Sequence, residues 1–259
     1  MTRTIADTAL MLQVMAGADE SDPWSYGLPV SDYLAAAKAK GDLRGKRILF
    51  CAAPPGRPIA AEVATAFATA LGRLRELGAE LEEMDGRRFD IEPMWRAINH
   101  TTWLARFGPL AARDADKMSP SLVRQLASAS QVSGVAYQDA MFARTALFRH
   151  VQSLLREHDF LVTPTLSRTA LPIEQDLFGK IAVDGKEFDD LRGNWFPWTM
   201  PFNMTGHPAM SVNCGFGDEG LPIGLQIVGR FRGEAELLSL GALLEAVQGL
   251  LTRWPMIEG

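Results

Sequence analysis

The sequence predicts an α/β fold, and two stretches carry that expectation. Within residues 46–84 an apolar run, a helix-periodic stretch and a second short run follow one another at the spacing of a strand–helix–strand unit. Such units are right-handed in almost every known case. Within residues 209–228 two apolar runs flank Asp218-Glu219-Gly220, which reads as a tight turn between two strands, and a helix follows from Glu234 to about Gln248.

Each element has a local signal. Residues 1–17 read as one helix, with Thr4 as cap, Asp7 three residues on, and Ile5, Leu12 and Met15 on one apolar face. Gly17 is the expected stop. Residues 18–29 are turn-rich and include Asp22-Pro23, and Ser31 is expected to cap a short helix to about Lys40. Residues 46–53 form a continuously apolar strand, which implies burial on both faces. Pro58 is expected to open a long helix at its first turn. Val63, Phe67, Leu71, Leu74 and Leu77 form the apolar stripe of that helix, Gly78 ends it, and residues 79–84 return as a strand. Residues 93–158 read as mostly helical, with a Trp95/Trp103/Phe107 cluster, a break at Gly108-Pro109, a new start at Ser119-Pro120 and a long helix over 135–157. Residues 160–163 form a short buried strand stopped by Pro164, and residues 165–198 read as irregular. Long loops of that kind are disproportionately functional.

Composition excludes several classes of function. At 259 residues, 47% hydrophobic and 22% charged, the chain has an ordinary balance and enough length for one good core or two small ones. A net charge of −5 argues against nucleic-acid binding by bulk electrostatics. No apolar run reaches membrane-spanning length, and the N-terminus lacks a signal-peptide pattern, so a cytoplasmic location is the expectation. Cys51 and Cys214 both fall in expected strands and read as small buried hydrophobes of a reducing compartment.

Few residues offer chemistry of their own. His150 and His158 are eight apart, His100 stands alone, and His207 sits in a Gly-His-Pro turn, so no metal-ligand spacing appears and no cofactor is implied. Ser211 reads as a satisfied core hydroxyl within a strand, and Ser133 as a cap between helices. The run Trp195-Phe196-Pro197-Trp198, with Met200, Phe202 and Asn203, either lines a concave apolar pocket or packs beneath its loop. Arg168 and Arg192 either meet an anionic group or stand solvated.

Several blocks occur in an order that resembles the amidase signature family. They are Met1-Thr2-Arg3-Thr4-Ile5-Ala6-Asp7-Thr8-Ala9-Leu10-Met11-Leu12, then Asp22-Pro23, then Leu43-Arg44-Gly45-Lys46-Arg47-Ile48. Glu76-Leu77-Gly78-Ala79-Glu80-Leu81 and Asp159-Phe160-Leu161-Val162-Thr163-Pro164-Thr165 follow. The block from Asn203 to Gly229, with Glu234, Leu237 and Leu238 on the last helix, closes the match.

The resemblance implies an α/β/α fold with a mixed central sheet, incomplete in this chain. It makes 1–259 the C-terminal portion of a single amidase domain, with parts at 1–92, 93–158 and 159–259. Family members hydrolyse carbon–nitrogen amide bonds. A Lys deprotonates a serine held in a cis peptide, which relays the proton from a nucleophilic serine, because a hydroxyl needs an adjacent base to become a nucleophile. This chain has no Ser-Ser and no Gly-Gly dipeptide. It is therefore expected to begin after the catalytic region and to be inactive alone. Its expected partners are a small amide and either a missing N-terminal half or a second copy. A non-catalytic binding or assembly role is the alternative. In the family the Trp195–Asn203 region faces the active site. The A-type subunits of amidotransferases carry an Asp near the place of Phe196, so Phe196 points to an apolar or aryl amide.

Overall fold

The computed structural model describes residues 1–27 and 29–250. Helix α1 (Ile5–Met15) starts as its sequence requires, with the Thr4 hydroxyl accepting from the Asp7 N–H at 3.0 Å. Its C-cap is Ala16, one residue before the expected Gly17. Helix α2 (Tyr33–Ala36) is capped by Asp32 rather than Ser31 and is a single turn.

Strand β1 (Arg47–Phe50), helix α3 (Ala61–Glu76) and strand β2 (Glu80–Glu83) form the expected crossover unit, and β1 and β2 pair in parallel. Helix α3 does not begin at Pro58. It begins after Ala60, which offers no side-chain cap, and the Asp184 carboxylate accepts from the Ala61 N–H at 2.9 Å instead. The cap thus arrives from 123 residues away, which no local pattern shows.

Helix α4 (Glu92–Asp114) runs through Gly108-Pro109, where a break was expected. Pro109 lacks the N–H that would bond the Ala105 carbonyl, but both residues are exposed, so water can satisfy that carbonyl. Helix α5 (Pro120–Ala129) and helix α6 (Gly134–Glu157) follow, the latter capped by the Ser133 hydroxyl accepting from Ala136 N–H at 3.1 Å.

Strand β3 (Phe160–Pro164) pairs in parallel with β1. The stretch expected to be irregular holds a small hairpin, β4 (Ile181–Val183) with β5 (Lys186–Phe188), and a short helix α7 (Leu191–Trp195). Asp184 and Gly185 both take positive φ, the two-residue turn that matches strand twist. An Asp-Gly pair between Ile181-Ala182-Val183 and Lys186-Glu187-Phe188 is a sequence signal for that hairpin. Helix α8 (Thr199–Thr205) then ends at Gly206, which takes φ 70° as a left-handed C-cap.

Strands β6 (Ala209–Phe216) and β7 (Pro222–Gly229) form the expected antiparallel hairpin, and helix α9 (Glu234–Gln248) follows them. The main sheet has the order β2-β1-β3-β7-β6, with β7 antiparallel to β3. It is mixed, as expected.

The sheet separates two cores because strand side chains alternate between faces. Ile48, Phe160, Val162, Leu225 and Ile227 join one core with α1, α2, α3 and α9. Leu49, Cys51, Leu161 and Val228 join the other with α4, α6 and α8. The architecture is α/β/α.

Candidate functional site

The connections place the natural crevice of this sheet beside β1. From β1 the chain crosses to β2 on one side through α3, then returns through α4–α6 to β3 on the other side. Open α/β sheets bind ligands outside the carboxyl ends of their strands at such a reversal. Here Trp198 occupies that place. It is 1% exposed, and its indole N–H donates to the Ala52 carbonyl at 3.2 Å, just past the end of β1. Phe89 packs on it with ring centroids 5.5 Å apart. Gly86 lets it in: a Cβ there would lie 2.9 Å from the indole ring.

A polar row ties the aromatic segment to the sheet. The Gln226 amide donates to the Trp198 carbonyl and to the Thr163 hydroxyl, each at 3.1 Å, and Thr163 in turn donates to the Pro164 carbonyl. Ser167 N–H donates to the Trp195 carbonyl at 2.8 Å, and the Ser167 hydroxyl donates to the Asn194 carbonyl at 2.5 Å. Arg57, from the loop after β1, donates to Asp90 at 2.6 Å and to Asp190 at 3.2 Å. Two loops and α7 are thereby locked over the ends of β1 and β3.

The six aromatic-run candidates divide by depth. Trp198, Met200 and Phe202 are buried, and Phe202 stands 5.9 Å from Phe89. Trp195 and Phe196 are half-buried and 5.8 Å apart, and Asn203 is exposed. The Trp195 indole N–H is buried without a hydrogen-bond partner.

Arg192 is not solvated. It is 6% exposed and lies within a polar cluster that the sequence did not reveal. Its Nη1 donates to Gln125 Oε1 at 3.1 Å and faces His100 Nε2 at 3.3 Å, while His100 Nδ1 faces the Ser128 hydroxyl at 2.7 Å. Phe178 packs under the guanidinium at 4.7 Å. Burial, then the Arg192 and Arg96 charges, push the His100 imidazole down to about 4, so it is neutral at pH 7. Arg168 is half-buried and donates to the Ala182 carbonyl at 2.6 Å, holding β4.

The remaining candidates sort as follows. Ser211 is exposed rather than a core hydroxyl, and it shares a 2.7 Å hydrogen bond with Thr165. Gly224 leaves room for that pair, since a Cβ there would come within 2.5 Å of the Ser211 oxygen. Burial pushes the Cys51 thiol up to about 11 and the Cys214 thiol up to about 12, so neither supplies a thiolate at neutral pH. His207 is 4% exposed, packed between Phe148 and Phe231, and both its ring nitrogens lack partners. Among the described residues no three His, Cys, Asp or Glu side chains converge as a metal site, and no helix is long and apolar enough to cross a membrane.

A large groove lies elsewhere, between α1 and β6. Its volume is about 1130 Å³, and none of the six aromatic-run candidates lines it. Met11, Leu12 and Met15 form one wall, and Met210, Val212 and Phe216 the other.

Comparison with known proteins places this geometry. The Amidase family model matches residues 1–238. An acylamidase of Rhodococcus erythropolis is 30% identical over 257 residues, covering 96% of this chain and 51% of its own length. The A-type subunit of the glutamyl-tRNA(Gln) amidotransferase of Chloroflexus aggregans is 32% identical over 286 residues, covering 98% of this chain and 55% of its own length. The crystal structure of a bacterial aryl acylamidase of the amidase signature family superposes with a TM-score of 0.81 at 24% identity, over 98% of this chain and 55% of that one. A 6-aminohexanoate cyclic dimer hydrolase superposes at 0.76. The chain spans about half the length of the curated relatives it matches. It belongs to the amidase signature family.

Proposed function

We propose that this chain supplies the core sheet and part of the substrate pocket of an amide hydrolase whose activated serine comes from polypeptide outside these 259 residues. The observation that carries this reading is a pairing of facts. The chain matches the family almost end to end, yet it contains neither a Ser-Ser nor a Gly-Gly dipeptide. The chemistry needs a hydroxyl beside a base and amide donors for the oxyanion. The hydrogen-bonded lysines Lys46, Lys117 and Lys180 instead pair with Asp159, Asp114 and Glu187. Among the described residues the Ser211 hydroxyl pairs with Thr165 and with no lysine.

In this reading Trp195, Phe196 and Asn203 are the pocket wall, and Trp198, Met200 and Phe202 hold that wall from beneath. The half-buried aromatic pair suits an apolar or aryl amide. A second reading, a non-catalytic assembly protein on the same scaffold, draws on the apolar groove beside β6.

Hydrolysis of a panel of aliphatic and aryl amides tests the proposal. The chain alone is expected to show no turnover. Losing an activated nucleophile costs on the order of 10⁶ in turnover in a serine protease. Turnover by the chain alone that disappears in Ser211→Ala would place a nucleophile within these residues and refute the reading.

A further inference from the structure

We propose that Arg192 anchors a carboxylate carried by the substrate, so that the amide this chain receives is apolar or aryl in its body and anionic at one end. This rests on the amide reading above and names a substrate class for it.

A buried guanidinium is costly unless both its charge and its donors are matched. Arg192 is 6% exposed, and the protein matches it only in part. Its two hydrogen bonds both leave Nη1, to Gln125 Oε1 and to His100 Nε2, and both acceptors are neutral. The contact also fixes the His100 tautomer. Nε2 accepts from Arg192, so Nδ1 carries the proton and donates to Ser128 Oγ, and Ser128 donates onward to the Gln125 carbonyl at 2.8 Å. His100 thus brings Arg192 no negative charge and gives Ser128 no base. The carboxylates that act on Arg192, Glu92 and Asp190, pair with Arg96 and Arg57. Burial, then the Arg96 charge, lowers the Arg192 pKa from its ordinary value against the pull of those two acids. The positive charge on α7 is left uncompensated.

The unbonded atoms select the ligand. Nε is buried without a partner, and Nη2 makes no hydrogen bond among the described residues. Nε–H and the adjacent Nη2–H form one edge of the planar guanidinium, and that edge matches the two oxygens of a carboxylate. Three residues on in α7, and so beside Arg192 on the helix surface, Trp195 presents a buried indole N–H that also has no partner. Trp195 and Phe196 are the pocket wall of the reading above, so the body of the ligand and its carboxylate fall at neighbouring positions of one short helix. Phe178 covers the site, with its ring 4.7 Å from the Arg192 guanidinium and 4.2 Å from that of Arg124. Its loop is tied to Arg124 by the exposed Asp176 pair at 2.9 Å, a kind of tie that is weak in water. Entry is past Phe178.

The probe is para-acetamidobenzoate, a carboxylated anilide, titrated into the full 259-residue chain, with acetanilide, benzoate and inorganic phosphate as comparisons. The Arg192 Nε–H resonance, identified by its absence in Arg192→Lys, reports the site directly. The expected result is a saturable shift of that resonance by para-acetamidobenzoate, with an affinity about 10-fold above that of acetanilide. Arg192→Lys keeps the charge but loses the fork, and it is expected to erase most of that preference. Four results would overturn the proposal: no shift, equal affinity for acetanilide, an equal response to phosphate, or benzoate binding as tightly as the anilide acid, which would mark a site for free carboxylates. The affinity comparison uses the unaltered chain and decides the matter even where a variant fails to fold. Amide turnover is read separately. Turnover by the chain alone that disappears in Ser211→Ala would refute the catalytic reading and leave the Arg192 site standing.

Discussion

His207 shows how much one side chain's surroundings matter. Its sequence context, Gly206-His207-Pro208, reads as a turn, where a histidine would meet solvent. In the fold it lies between Phe148 and Phe231, with ring centroids 5.2 and 5.7 Å away, and burial pushes it down to about 4. His100 is held at about 4 by burial and two arginines. Both are therefore neutral when folded at any pH above about 4, while the unfolded chain protonates them below about 6.5. Between those limits the unfolded state binds more protons, so stability rises with pH. The contribution is fully present above about pH 6.5 and is lost as pH falls toward about 4. Urea midpoints measured from about pH 8 to pH 4 are expected to fall mainly below about 6.5, and His207→Phe is expected to flatten part of that slope. An unchanged slope in the variant would show that His207 is not one of the groups responsible.

At the scale of elements, the β4–β5 hairpin and α3 depend on each other. Asp184 occupies a positive-φ turn position and also accepts the Ala61 N–H, the cap that Ala60 cannot provide. Asp184→Gly keeps the backbone permissive and removes only the cap. It is expected to cost about 1 kcal/mol by urea denaturation. A cost within about 0.3 kcal/mol of zero would mean water replaces the carboxylate at that helix end. The same pair of elements shows the limit of local reading. The Asp-Gly turn was available in the sequence, as the pattern around it shows. The start of α3 was not, because its cap comes from a distant segment. Helix α4 makes the converse point: Pro109 is a strong local breaker, and the helix runs through it where Ala105 and Pro109 are both exposed, so water can satisfy the freed carbonyl.

At the scale of the whole molecule, the two cores are not separate domains. Neighbouring residues of the same strands feed both: Ile48 and Leu49 on β1, Phe160 and Leu161 on β3, Ile227 and Val228 on β7. Losing the sheet empties both cores at once. Urea unfolding is therefore expected to be a single transition, with coincident midpoints by tryptophan fluorescence and far-UV circular dichroism. Two separated midpoints would show that the helical layer of α4–α6 unfolds on its own.

What the sequence by itself determined is whatever rests on near neighbours. Hydrophobic period, caps and turn residues placed the crossover unit, the β6–β7 hairpin and the helices α6 and α9, and the order of short blocks was enough to reveal the family. The tertiary structure alone decided what depends on groups far apart in the chain. It buried Arg192 against His100 and Gln125, where a lone loop arginine reads more readily as solvated than as ligand-facing. It set Trp198 into the crevice between β1 and β3, because Gly86 and Ala52 leave a place for it. It also left β6 at the end of the sheet, since strand order is set by which apolar faces can be covered together. No run of consecutive residues records that order.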